Sequence, residues 1–463
     1  MPSSAHDKCG VIGLCSSKPV AESLYFGLRV LQHRGQESAG IATHTELEDI
    51  QYHRGMGLVH QVFTKKELKT LKGNSGIGHV RYSTTGRSRP ENSQPMLLTT
   101  ALGDIALAHN GDIANAKELK EKYQKKGWGF ITDTDSEVII RMLANSVSKT
   151  GSMEEAIKKT MPKLKGAYSL TVLNGGKVYA VRDPLGIRPL CVGKLKTGLV
   201  VASESVVIDM LEGELIRDVR PGEVLEICQN ELKTIYRIEK KHTAHCQFEW
   251  VYFSRSDSYL DKATVYNVRR RIGRELAKLW PVDADVVVPV PDSGRTYALG
   301  YSEGSGIHYA EGLMKNRYVE RTFILPEQGQ RDSVVSIKLN AVRSVIEGKK
   351  VVLVDDSIVR GTTMKRLVKI VRKAGAKEVH VRSGCPQVVA PCYFGIDMKS
   401  KDQFIALDKS EEDIAKIIGA DSVGYCSIDA LVKAIGHDKK DLCLGCLTGK
   451  YPIKIEGKEK RNI

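Results

Sequence analysis

Short apolar runs separated by glycine-containing turns dominate the first half of the chain, to about residue 235. Cys9–Leu14, Ile105–Ala108, Tyr168–Val172, Val178–Val181 and Leu199–Ala202 have the length and composition of strands. Asn174-Gly175-Gly176 separates two of them as a turn. Asp135–Ser148 follows another rule. There Val138, Ile139, Met142 and Leu143 form one stripe at helical spacing. The pattern predicts layered α and β structure with antiparallel strands.

The second half changes period. Val286–Val290 and Val351–Val354 are continuous apolar runs, as in strands covered on both faces. The latter leads through a turn into Met364–Ala374, where Met364, Leu367, Ile370 and Val371 recur at helical spacing. Gly375 stops that helix, and Val379–Val381 is the next strand. A strand–helix–strand unit implies an open parallel sheet with its ligand at the strand C-termini. The cysteine-containing tail after about residue 440 reads as irregular.

At 463 residues the chain suits two or three domains, and 41% hydrophobic with 27% charged residues is ordinary globular composition. No apolar run reaches the roughly 18 residues of a membrane span. MPSSAHDKCGVIG lacks the basic and apolar segments of a secretory signal, so a cytoplasmic protein is expected. Ten cysteines then argue for buried thiols, metal ligands or a nucleophile rather than a disulfide framework. The net charge of +15 fits either nucleic-acid binding or attraction of anionic substrates. Lys117–Lys126 interleaves Glu with Lys as a solvated helix face, and no nucleic-acid-reading signature accompanies it. Neither a nucleic acid nor a membrane is an expected partner.

Two segments carry phosphate chemistry. VVLVDDSIVRGTT, Val351–Thr363, ends a buried strand in Asp355 and Asp356, which suit ribose hydroxyls or a hard cation. The turn that follows, through Arg360, Gly361, Thr362 and Thr363, supplies hydroxyls and N–H groups at a helix N-terminus for a 5-phosphate. Pro289–Gly294 is a second strand-end turn, in which Asp292, Ser293 and Gly294 allow close backbone approach to pyrophosphate. Magnesium fits Asp355 and Asp356, because pyrophosphate oxygens complete its octahedron. The segment through Arg331 to Lys338 has the basic, Gly/Pro-containing character of a closing flap.

A different chemistry gathers near the start. Cys9 opens a strand. Gly78–Thr84 brings Arg81, suited to gripping a carboxylate through two parallel hydrogen bonds. His109-Asn110-Gly111 offers an amide and a backbone N–H for an oxyanion hole. Thr134–Glu137 brings Asp135, a carboxylate for a substrate ammonium.

The phosphate segments resemble type I phosphoribosyltransferases, and the Cys9 set resembles class II glutamine amidotransferases. Their order, with RDPLGIRPL at Arg182–Leu190, resembles the amidophosphoribosyltransferases over nearly the whole chain. That resemblance implies an N-terminal-nucleophile hydrolase αββα sandwich at 9–235, after a propeptide at 1–8. A type I phosphoribosyltransferase parallel-sheet domain at 236–440 and a tail at 441–463 follow. It implies that Cys9 becomes the first residue by cleavage after Lys8, its own amino group, with a pKa near 8, then serving as base. Arg81 and Asp135 would grip glutamine, and Asn110 and Gly111 would form the oxyanion hole. The resemblance also implies that Ser293 joins Asp355 and Asp356 at the metal. The implied reaction makes 5-phosphoribosylamine from phosphoribosyl pyrophosphate and glutamine, the committed step of purine synthesis, with ammonia passed internally. Purine nucleotide feedback and a homo-oligomer are expected with it. Two flap positions depart from the family pattern: Glu320 replaces Gly in RYVGRTF, and Ser336 replaces a basic residue two before Lys338.

Cys443-Leu444-Gly445-Cys446 is by spacing a site for zinc or for an iron–sulfur cluster. The contexts HCQFEWVYFSR, PCYFGIDM and CLGCLTGKYP resemble the iron–sulfur branch of the family. They imply a [4Fe–4S] cluster on Cys246, Cys392, Cys443 and Cys446, with Cys385 the nearby competitor of Cys392. The rivals to this reading are a non-catalytic regulator that binds phosphoribosyl pyrophosphate, and a class II amidotransferase with another acceptor.

Overall fold

The computed structural model describes residues 9–45, 49–82, 86–100, 103–228, 231–316, 339–398 and 400–455. The propeptide, the flap with Glu320, Ser336 and Lys338, and the last eight residues lie outside them.

The first half stacks two antiparallel sheets. One has seven strands, in the order Glu214–Asp218, Cys191–Leu195, Gly198–Ala202, Gly10–Ser16, Ser75–Arg81, Ser38–His44, Gln51–Met56. The other has six, in the order Glu231–Arg237, Glu223–Cys228, Lys177–Arg182, Gly166–Asn174, Gly103–Ile113, Met96–Thr100. Alternation along each strand explains the double coverage. Within Gly10–Ser16, Ile12 and Leu14 meet the helix Ala21–Val30, while Val11 and Cys15 enter the layer between the sheets. Leu107 and Val172 face the helices Asp135–Thr150 and Met153–Thr160, while Ala106, Ala108 and Leu173 face the other sheet. Each such Leu, Ile or Val contributes about 1.5–3 kcal/mol by leaving water. The layers read αββα, as the resemblance implied.

In the second half four parallel strands lie in the order Val286–Pro289, Lys350–Asp355, Glu378–Ser383, Ser422–Tyr425. Val352 and Val354 pack towards the helices Val265–Leu279 and Arg295–Ser305. Val351 and Leu353 pack towards Thr362–Lys373 and Glu411–Ile418. The first two helices touch backbone to backbone. A Cβ on Gly273 would stand 2.1 Å from the Tyr297 oxygen, so only glycine permits that crossing.

The structure corrects one expectation about the tail. Leu442–Cys443 forms a two-residue strand, parallel to His245–Cys246, and Gly445–Thr448 is a helical turn. The tail is therefore ordered by pairing with the chain that enters the second half. The edge strand Glu231–Arg237 also runs two residues past 235.

Candidate active site

Cys9 sits at the head of its strand, buried, with its thiol 3.6 Å from the Tyr82 carbonyl oxygen. Burial pushes that thiol up to about 11, against the lowering pull of a backbone hydrogen bond from Tyr82 and of the Arg81 charge. The thiol is therefore protonated at neutral pH and needs a base. Burial lowers His79 to about 3 and His109 to about 4, so both neutral rings are too weakly basic to take the thiol proton. They serve as core hydrogen-bonding groups, His79 Nε2 3.0 Å from the His109 carbonyl oxygen and His109 Nδ1 3.1 Å from Ser136 Oγ.

Arg81 and Asp135 converge on Cys9, since both act electrostatically on its thiol. Asp135 opens its helix, and its Oδ2 accepts the Ile113 N–H at 2.9 Å. Burial raises the Asp135 carboxyl to about 6, partly opposed by backbone N–H groups and Arg81. Asn110 is 1% exposed, and its Oδ1 is buried without a hydrogen-bond partner among the described residues. Its Nδ2 reaches Ser203 Oγ at 3.5 Å, and the same oxygen accepts the Val11 N–H at 3.0 Å. Gly111 has φ +152°, and a Cβ there would lie 2.0 Å from the Ala167 oxygen. Of the five residues proposed from the first half, Cys9, Arg81, Asn110 and Asp135 are thus buried, and Gly111, next to Asn110, is partly buried.

The second site lies at the C-terminal ends of the parallel strands. A pocket of about 180 Å³ is lined by Ser293, Asp355, Asp356, Gly361 and Thr363, with Tyr252 on its wall. Asp355 and Asp356 are adjacent buried carboxylates. Burial raises both, and the Asp356 charge raises Asp355 further. Ser293, Ser357 and Arg269 partly offset this for Asp356. Gly361 has φ +73°, and a Cβ would collide with Ile405. That left-handed residue turns the chain into the helix Thr362–Lys373, leaving its first N–H groups at the pocket.

Four predicted residues do not line the pocket. Asp292 is paired outside with Lys315 at 2.9 Å and Arg295 at 3.3 Å. Arg360 donates to Gln403, and Thr362 is exposed. Gly294 lies beneath, where a Cβ would stand 2.4 Å from the Val354 oxygen. Lys338 lies outside the described residues.

The four tail-associated cysteines do converge. Cys246 and Cys443 face each other across the parallel pairing, and the Cys446 carbonyl accepts the N–H groups of Val389 and Ala390, at 3.0 Å each. Burial raises all four thiols, Cys246 and Cys392 to about 11, and Cys446 feels each of the other three. Cys385 also acts on Cys446, so it remains within reach of this group. Among the described residues no three His, Cys, Asp or Glu side chains are arranged around a single ion. The donor set suits a cluster better, because each iron takes its own thiolate and the ligands stand apart. Arg188, wholly buried, lowers Cys246, Cys392 and Cys443, and its Nε has no hydrogen-bond partner among the described residues. A cation with a spare donor beside four thiols fits an anionic cluster.

Residues 79–210 match the family model for a glutamine amidotransferase domain, and residues 257–385 match that for a phosphoribosyl transferase domain. The chain is 52% identical to the amidophosphoribosyltransferase of Methanocaldococcus jannaschii, over 96% of this chain and 98% of that one. It is 43% identical to the amidophosphoribosyltransferase of Bacillus subtilis, over 97% and 95%. The chain belongs to the amidophosphoribosyltransferase family. The solved glutamine phosphoribosylpyrophosphate amidotransferase of B. subtilis, in complex with ADP and GMP, superposes with a TM-score of 0.90 at 42% identity, covering 97% of this chain and 98% of that one. It is accordingly a phosphoribosyltransferase with glutamine amidotransferase activity, an enzyme of purine biosynthesis. No helix among the described residues is long and apolar enough to cross a membrane.

Sequence reasoning overlooked the groups beneath these sites. Arg34, Glu204 and Glu249 form a buried charge network under Cys9, and Tyr252 reaches the second pocket. Arg182 and Arg188 of RDPLGIRPL are nearly unexposed, pairing with Asp261 at 2.9 Å and Glu249 at 3.3 Å. A signal was available for Arg182 and Arg188, which stand among apolar, Pro and Gly residues where a solvated face would carry interleaved polar ones, but not for Arg34, whose neighbours are polar.

Proposed function

We propose that Cys9, exposed as the N-terminal residue by removal of Met1–Lys8, releases ammonia from glutamine, and that ammonia passes inside the molecule to the Asp355–Asp356 pocket. The carrying observation is the buried convergence of Cys9, Arg81, Asp135 and Asn110, beside which the buried His79 and His109 are too weakly basic to take the thiol proton. The amino group of Cys9 takes the thiol proton. Arg81 holds the glutamine α-carboxylate and Asp135 its ammonium. The thiolate attacks the side-chain amide carbon. The oxygen of the tetrahedral intermediate is held by the Asn110 amide and the Gly111 N–H. The carbon–nitrogen bond breaks, ammonia leaves with the proton, and water hydrolyses the thioester to glutamate.

In the second site, the Gly361–Thr363 turn takes the 5-phosphate at a helix N-terminus. Asp355, Asp356 and Ser293 would hold Mg²⁺, which supplies charge neutralisation on the leaving pyrophosphate. The raised carboxyl pair supports this, because two buried carboxylates without a cation disfavour double ionisation. Ammonia attacks C1 of the ribose, the bond to pyrophosphate breaks, and loss of a proton leaves 5-phosphoribosylamine. Internal transfer is supported by the π-helical turn Glu249–Phe253, which bonds Arg34 beneath Cys9 through Glu249 and carries Tyr252 into the second pocket. Cys246, Cys392, Cys443 and Cys446 would hold a [4Fe–4S] cluster, whose contribution is to cross-link the tail to the body. Purine nucleotides act as feedback ligands, a reading supported by the ADP and GMP of the B. subtilis complex. The enzyme works as a homo-oligomer, which light scattering tests.

The deciding experiment is pyrophosphate release by anaerobically purified protein, with glutamine and then with ammonium chloride, together with intact mass. Release with both sources from chains beginning at Cys9 supports the reading. Full glutamine-dependent activity in chains that keep Met1–Lys8 sinks it.

A further inference from the structure

A row of buried ionic groups runs between the halves, and no chemical step above consumes it. Arg34 Nε donates to the Cys9 carbonyl oxygen at 3.2 Å. Its Nη2 donates to both carboxylate oxygens of Glu249, at 3.0 Å each. From the other side Arg188 Nη1 donates to Glu249 Oε1 at 3.3 Å. Arg188 Nη2 donates to the Phe394 carbonyl. The arginine side chains are 0% exposed and that of Glu249 is 2% exposed. Ser254 Oγ donates to Glu249 Oε2 at 3.0 Å. Burial disfavours the Arg34 charge, yet Glu249 and Glu204 hold its pKa above the ordinary value.

Each end of the row touches the glutaminase site. At one end is the backbone of Cys9. A residue that has become a chain terminus loses its upstream anchor and frays unless tied down, and Arg34 supplies the tie. At the other end, Phe394 precedes Gly395, which packs on Gly111: a Cβ on Gly395 would stand 3.1 Å from the Gly111 carbonyl carbon. Glu249 is therefore shared by one cation that holds the nucleophile and one that holds the loop behind the oxyanion position. Without its charge, Arg34 and Arg188 repel across a dry interior.

We propose that Glu249 is a positioning residue for Cys9. It keeps Arg34 on the nucleophile's carbonyl and, through Arg188, seats the Cys392–Gly395 loop against Gly111. The geometry of the glutaminase site is thereby set from the phosphoribosyl half. This rests on Cys9 being the nucleophile.

The test uses the processed holoenzyme carrying Glu249→Gln. Glutamine-dependent kcat should fall about 10- to 100-fold, the range for misplacement of a reacting group, while the glutamine KM stays within about twofold. Ammonia-dependent pyrophosphate release should stay within about twofold. Alkylation of Cys9 by an electrophilic glutamine analogue, read by intact mass and peptide mapping, should slow by the same factor as kcat. Glu249→Asp should recover part of both. An unchanged glutamine-dependent rate, or an equal loss with ammonia, overturns the proposal. If Glu249→Gln yields no soluble protein, Arg34→Lys carries the same expectations, because a lysine cannot bridge the Cys9 carbonyl and Glu249 together. Should Cys9→Ser keep glutamine-dependent activity, the nucleophile assignment fails instead, whatever Glu249→Gln does.

Discussion

Cys246 and Cys443 stand opposite each other in a two-residue parallel pairing that joins the entrance of the second half to the tail. Backbone pairing can bring together thiols that lie far apart in sequence. Cys443→Ser and Cys392→Ser should therefore abolish most bound iron and sulfide, while Cys385→Ser should retain it. Elemental analysis and the visible absorption of anaerobic protein check this. Stoichiometric zinc with no iron would replace the cluster reading.

Asp135 gives a pH signature. Burial raises its carboxyl to about 6, and the ionised form is the one that can hold an ammonium. The charged fraction therefore falls as pH drops through that value. Protonation of the Cys9 amino base already lowers glutamine-dependent kcat/KM below about pH 8, so Asp135 should steepen the decline by roughly a further tenfold per unit below pH 6, since this parameter reports free-enzyme ionisation. A profile with no added break near pH 6 would remove Asp135 from glutamine binding.

Asp355→Asn and Asp356→Asn should each cut pyrophosphate release at least about 100-fold with either nitrogen source, as expected when transition-state charge loses its stabiliser. Hydrolysis of glutamine should continue. The folded-state pKa values of both carboxyls are raised, so their ionisation is suppressed as pH falls. The Mg²⁺ concentration needed for half-maximal activity should rise on acidification. Loss of glutaminase activity to the same extent would show a structural lesion.

Asn110→Ala should lower glutamine-dependent kcat about 10²–10³-fold, the range for one oxyanion donor, with little change in KM. Gly111→Ala should be worse, because its Cβ would lie 2.0 Å from the Ala167 oxygen and displace the strand itself. A thermal melt distinguishes the two, unchanged for Asn110→Ala and lowered for Gly111→Ala.

Much of this protein was readable before any coordinates. The strands at Gly10–Ser16, Gly166–Asn174 and Lys350–Asp355 follow from local apolar runs, and the helix Thr362–Lys373 from its spacing. The candidate phosphate segment is legible because a strand end and its turn are contiguous in sequence, whereas the Cys9 set comes from four separate segments that only the family resemblance joined. DDSIVRGTT keeps Asp355, Asp356, Gly361 and Thr363 on one pocket by local geometry alone.

The tertiary structure alone decided which members of those segments face inward. Asp292 and Thr362 belong to the right turns yet point away, because alternating residues leave a turn in different directions. It alone ordered the tail, since parallel pairing with His245–Cys246 is a long-range contact with no periodic signal. It also placed Glu249 between Arg34 and Arg188. Ion pairs of this kind depend on burial and on distance across the fold. The sequence determined the chemistry available to this protein, and packing determined which charges meet in the dry space between its two sites.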